Sequence, residues 1–98
     1  MPFTFKKQKK EGRYKSFQKD FTDIKLKKKA VGYIAQEETF SYRVSFAIKK
    51  EKTKSDPAPF KWITFKKRFK TEKRARKFAN KNFNEIIEKF DLHKFEKE

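Results

Sequence analysis

The stretch FSYRVSFAIK, residues 40 to 49, constrains the fold more than any other part of the chain. Its bulky apolar residues, Phe40, Tyr42, Val44, Phe46 and Ile48, fall at every second position. Successive side chains of a strand point to opposite faces, so this period of two predicts a β-strand with one greasy face. Ser41, Arg43, Ser45, Ala47 and Lys49 take the other face. The partner for the greasy face lies further along. Ala75, Phe78, Ala79, Phe83, Ile86, Ile87 and Phe90 recur three and four apart, which predicts an amphipathic helix from about Glu72 to Phe90. Thr71 is the expected N-cap, and Glu72 sits where the helix dipole favours an acid. Helix on sheet is the economical architecture, and it leaves the second sheet face open.

Three other segments read as extended. In FTDIKLKKK, residues 21 to 29, Ile24 and Leu26 alternate with Asp23, Lys25 and Lys27. VGYIAQEE follows, where Gly32 suggests a bulge or a close backbone approach. In FKWITFKKRF, residues 60 to 69, Ile63, Phe65 and Phe69 share one face, and Trp62, Thr64, Lys66 and Arg68 the other. EKTKSDPAP, between the last two strands, is a loop, so they form an antiparallel hairpin. The expected fold is α+β: three or four antiparallel strands with one long C-terminal helix packed on one face, over residues 21–98. Residues 1–20 mix Lys with Phe and Tyr and read as a basic aromatic arm, either flexible or a short strand and turn. The end of the chain, DLHKFEKE, continues the helix or frays.

Composition narrows the function. The 98 residues include 29 Lys plus Arg against 13 Asp plus Glu, a net charge of +16. Self-repulsion of that size works against a compact monomer and calls for a polyanionic partner. Nucleic acid comes first; an anionic membrane surface ranks second and is not expected. Charged content of 43% would suggest disorder, but 13 Phe residues supply the area a small core needs. With no Cys there is neither a disulfide nor a thiolate metal site. No apolar run approaches the ~18 residues of a spanning helix, and the first residues lack the apolar stretch of a secretion signal. A cytoplasmic location, in the host cytosol or on the nucleoid, is expected.

Nothing points to catalysis, a cofactor or a metal. His93 is the single histidine, expected on an exposed, fraying turn. Asp20 and Asp23 balance charge in a Lys-rich segment, and Gly12 and Gly32 are too far apart for a phosphate-cradling loop. Tyr14, Tyr33 and Tyr42 lack the Arg and His companions of a tyrosine nucleophile.

Three features occur in a particular order: Gly32 with Ile34, then Tyr42-Arg43-Val44, then the junction RFKTEKRARKFA. In this the segment from 31 to 85 resembles the N-terminal arm-type DNA-binding domain of tyrosine integrases from phages and conjugative transposons. The resemblance implies a three-stranded antiparallel sheet backed by one helix, with the open sheet face in the DNA major groove. By position it implies contacts from Ser41, Arg43, Ser45, Lys49, Trp62, Thr64, Lys66 and Arg68. The first thirty residues have no counterpart, two prolines replace a Gly-containing turn, and the catalytic domain is missing. The expectation is a binding protein of phage or mobile-element type, not a recombinase.

The residues support that reading independently. Arg43 lies mid-strand on the open face, where it either grips a guanine edge or pairs with Glu37 or Glu38. Lys66, Lys67 and Arg68 beside Thr64 would follow phosphates. Trp62 either stacks on an unpaired base, favouring single-stranded DNA or RNA, or caps the core beneath the N-terminal segment. Lys10, Arg13 and the other arm cations either lie along a nucleic-acid backbone or form a tail without a site. Lys73, Arg74, Arg76, Lys77 and Lys81 read as a solvated helix face. A further class remains open: an accessory or inhibitor protein that docks on a nucleoprotein complex.

Overall fold

A computed structural model describes residues 2–8 and 19–95. Five strands follow one another in space as in sequence: β1 (Thr4–Lys7), β2 (Phe21–Leu26), β3 (Lys29–Glu38), β4 (Ser41–Lys49) and β5 (Phe60–Thr64). All neighbours are antiparallel. Two helices follow, α1 (Glu72–Lys81) and α2 (Phe83–Lys89), so the fold is α+β. The sheet has five strands rather than three or four, and the helix is two short helices rather than one long one.

The extra strand comes from the expected arm. Phe5 faces Ile24 across the β1–β2 ladder. Phe3 is buried in the core, its ring 5.3 Å from Phe46 and 4.8 Å from Phe83. Its backbone N–H donates to Asn80 Oδ1 at 2.8 Å, tying the start of the chain to α1. A buried phenylalanine stabilises by about 1.5–3 kcal/mol, which outweighs the local signals that made this segment look like a tail.

The turns explain the strand boundaries. Lys27 and Lys28 both have positive φ, 51° and 71°, in the two-residue link between Leu26 and Lys29. The right-handed twist of a hairpin selects such turns, which ordinarily use Asn and Gly. Phe40 also has positive φ, 62°, and is 72% exposed in the turn between β3 and β4. Phe40 therefore leaves the apolar row to which its parity assigned it. Glu37 is the extra residue of a bulge beside that turn.

The helix-side core comprises Ile24 of β2, Val31 and Ile34 of β3, and Val44 and Phe46 of β4, under Ala75, Ala79 and Ile86. Thr71 caps α1, accepting from the Arg74 N–H at 3.1 Å. The buried Thr22 hydroxyl donates to the Glu72 carboxylate, and Glu72 also holds Arg76 at 2.9 Å, so one acid links sheet to helix. At Asn82 the side-chain amide donates to the Phe78 carbonyl at 2.8 Å, and φ, ψ of −105°, 17° end α1 there. Asparagine competes in this way with the helical backbone, which is why the expected single helix divides. Ile87, on the far side of α2, is 38% exposed rather than core.

Over residues 91–95 the C-terminal segment neither continues the helix nor frays. Phe90 turns extended, and residues 91–95 run back between the diverging ends of β3 and β4. Lys49 N–H donates to the Asp91 carbonyl, His93 N–H to Ala47 and Phe95 N–H to Ala30, at 2.8 to 2.9 Å. Leu92 is buried.

Candidate nucleic-acid interface

The helices cover one face of the sheet; on the other, pleat parity brings forward Phe21, Tyr33, Arg43, Ser45, Ala47, Trp62 and Thr64. Tyr33 stands opposite Ser45 and Ser45 opposite Thr64, while Ala47 faces Trp62. Small residues on β4 thus lie between larger rings on β3 and β5. The Phe21 and Tyr33 rings stack at 5.0 Å and 17°, and Trp62 meets Tyr33 edge-on at 5.0 Å. Phe21 is 39% and Trp62 46% exposed, so this surface is aromatic and open to solvent.

One end of the face is covered by the chain itself. Phe95 stacks on Trp62 at 5.7 Å and meets Phe60 edge-on at 4.8 Å. His93 stacks on Phe60 at 4.7 Å and is half-buried, not on an exposed turn. Among the described residues Trp62 therefore packs under the C-terminal segment, and it is 46% exposed.

The expected contact residues divide by what already holds them. Ser45 is fully buried and its hydroxyl is hydrogen-bonded to Thr64 at 2.7 Å, so it is not the exposed donor its parity suggested. Arg43 is half-buried with its guanidinium 3.7 Å from the Glu37 carboxylate and 5.5 Å above the Tyr33 ring. Arg68 also binds Glu37 and donates to the carbonyls of Phe65 and Lys66 at 2.6 and 3.2 Å. Two arginines thus share one acid in the Glu37 bulge. Lys49 is exposed, 3.6 Å from Asp91. Ser41 is half-buried; Thr64 and Lys66 are exposed. Lys67 is exposed with its ammonium 5.4 Å from the Phe69 ring centre. Lys10 and Arg13 lie outside the described residues.

On the helix-covered side of β4, Tyr42 donates to Asp20 at 3.2 Å. Burial, reinforced by the Asp20 carboxylate, raises the Tyr42 phenol above its ordinary value of 10.0. In the β4–β5 loop, Asp56 accepts from Lys50 at 2.8 Å and from the Ala58 N–H at 3.2 Å, and these bonds hold its carboxyl below the usual range. The aromatic neighbours Phe21, Phe60 and Phe95 were not singled out from the sequence. Alternation alone places Phe21 opposite in direction to Thr22 and Ile24, but nothing local marks the return of Phe95 across the sheet.

Comparison of the chain with family models, with curated proteins and with solved structures finds no match. Among the described residues no helix is long and apolar enough to cross a membrane, and no group of three or more His, Asp or Glu is placed to hold a metal ion.

Proposed function

We propose that this protein binds nucleic acid through the open face of its sheet, with duplex DNA as the target. The observation that carries this reading is the unit β3–β4–β5–α1. It is three antiparallel strands backed by a helix, with Arg43, Trp62, Thr64 and Lys66 brought to or beside the uncovered face. Three strands span two interstrand spacings, about 10 Å, which suits a major groove about 12 Å wide. All five strands span about 19 Å and would not enter together, so β1 and β2 would ride outside the groove. Arg43 would exchange its bond to Glu37 for a base edge. That exchange costs little, because partly exposed ion pairs contribute only about 0–1 kcal/mol. The resemblance to integrase arm-type domains implies a three-stranded unit of this kind, and with it a protein of phage or mobile-element type.

A second reading is favoured by the stacked pair Phe21–Tyr33 and the half-exposed Trp62. Successive rings on an open sheet suit unpaired bases, each stacked base adding about 1–3 kcal/mol. The net charge of +16 serves either target, and it would also serve an accessory protein docked on a nucleoprotein complex.

A gel-shift panel of duplex DNA, single-stranded DNA and RNA across salt separates the readings. Duplex binding predicts preference for the duplex and a loss of about 1–3 kcal/mol with relaxed sequence preference for Arg43→Ala. Stacking predicts preference for single strands and a comparable loss for Trp62→Ala. Indifference of all three probes to both substitutions would remove the open face from function.

A further inference from the structure

Around the edge of β5 from the open face, the segment 66–70 and α1 enclose a cleft of about 540 Å³. Six cations line it: Lys67, Arg68, Lys70, Arg74, Lys77 and Lys81. Its floor is Phe69 and Phe78, with Asn82 at one end, and no carboxylate lines it. Glu72, the acid nearest in sequence, turns the other way, toward Thr22 and Arg76. Arg68 is held by Glu37, but Lys70, Arg74, Lys77 and Lys81 have no carboxylate within ion-pair distance among the described residues.

This arrangement opposes the local physics of the helix. Arg74 lies in the first turn of α1, at the positive end of its dipole, where a cation is unfavourable. Arg74 and Lys77 are three residues apart and Lys77 and Lys81 four, so like charges neighbour one another on one stripe. Elsewhere on the helices the chain places acids at this spacing, as in Glu72–Arg76 and Glu85–Lys89. The stripe lacks them, and an external anion would relieve both penalties.

We propose that this cleft is a second binding site, for the phosphodiester backbone of the same nucleic acid that the open face contacts. The proposal therefore rests on the nucleic-acid reading above. Arg74 to Lys81 covers seven residues, about 10 Å along the helix. One strand of a duplex advances about 3.4 Å along its axis per charge, and its phosphates, winding around that axis, lie roughly twice as far apart along the backbone, so the stripe matches about two consecutive phosphates. Lys66 and Lys67 lie between the two surfaces, on the bulge that joins Thr64 to Phe69. A backbone flanking the groove that takes β3–β5 would cross there and run along α1. At the cleft the Lys67 ammonium lies 5.4 Å from the Phe69 ring centre, which holds that cation at the junction between the two surfaces.

The test compares two double substitutions that remove the same charge from +16: Arg74→Gln with Lys77→Gln in the cleft, and Lys52→Gln with Lys54→Gln on the exposed β4–β5 loop. Affinity for labelled duplex and single-stranded oligonucleotides is measured by anisotropy across salt, with Trp62→Ala as a third variant. Vesicles with and without phosphatidylserine form a separate arm. The cleft variant is expected to reduce the magnitude of the log–log salt slope by about 2, near 0.9 for each phosphate no longer neutralised, while the loop variant and Trp62→Ala leave it nearly unchanged. Equal effects of the two double variants would reduce the cleft to general charge and overturn the proposal. An unchanged slope in the cleft variant alongside weakened binding by Trp62→Ala would remove the cleft but keep the open face. Binding of vesicles alone, or of no polyanion at all, would overturn both readings.

Discussion

A methyl group added at Gly32 tests the packing of the sheet most sharply. A Cβ built there would lie 2.3 Å from the Ser45 carbonyl oxygen and 2.9 Å from the Phe46 ring, well inside ordinary van der Waals distance. The obstructing oxygen is backbone on the neighbouring strand, so no rotamer change relieves it. Gly32 pairs with Phe46 on one side and Ile24 on the other, where the β2–β3 register slips. Separating the strands enough to admit the methyl costs about 1–3 kcal/mol in strain, plus about 1 kcal/mol for a weakened ladder bond. Reduced freedom of the unfolded chain returns about 0.4–1 kcal/mol. The net loss of about 2–3 kcal/mol corresponds to a melting temperature lower by roughly 10–20 °C in a domain of this size. Thermal melting by circular dichroism of Gly32→Ala against the parent reads this directly. A shift within about 2 °C would mean that β3 and β4 do not approach at Gly32 and that the β3 register is different.

Three further outcomes follow from local structure. Thr71→Ala removes the N-cap acceptor of the Arg74 N–H and is expected to lower stability by about 1 kcal/mol in denaturant unfolding, whereas Thr71→Asp should preserve it. The Tyr42 phenol, raised by burial and by Asp20, lends stability that is complete below its ordinary value of 10.0 and is lost as pH climbs through the folded value. Comparing alkaline melting and phenolate absorbance with Tyr42→Phe checks this, and ionisation of Tyr42 at or below 10.0 would refute it. Glu37→Gln releases Arg43 and Arg68, which share its carboxylate, and should tighten nucleic-acid binding by up to about fivefold, the equivalent of ~1 kcal/mol for a surface pair. Weaker binding would show that Glu37 positions the two arginines instead of competing for them.

Much of the fold is legible in the sequence because one physical rule governs each stretch. The alternation of Tyr42 to Ile48 and the Ala75–Ala79–Ile86 stripe follow from burial alone, and the Thr71 cap from its side-chain chemistry. Gly32 reads as a bulge or a close approach because a glycine inside a strand has few other uses, and the register slip and the Ser45 carbonyl both lie beside it. The differences arise where long-range packing overrides local pattern. Phe3 and β1 look like an arm until Asn80 and Phe83 are beside them. Lys27 and Lys28 form a tight turn with none of the residues that ordinarily announce one. Asn82 divides the helix, though the apolar stripe continues past it. Ser45 has the parity of an exposed residue but lies buried between Tyr33 and Thr64, its hydroxyl bonded to Thr64. Of the two alternatives for Arg43, the pair with Glu37 is the one observed in the free protein. The aromatic character of that face depends on Phe60, His93 and Phe95, and no sequence period connects the last two to the sheet.

Trp62 is the only tryptophan in the chain, and it lies half-exposed on β5, within the proposed interface. Its fluorescence therefore reports from the surface in question with no tryptophan background from elsewhere. Titration with duplex and single-stranded oligonucleotides at low salt is predicted to quench or shift that emission with a saturable curve whose midpoint matches the affinity found by anisotropy. An anisotropy change that saturates while Trp62 emission and its accessibility to acrylamide stay constant would contradict the account, because nucleic acid would then be bound away from the open sheet face.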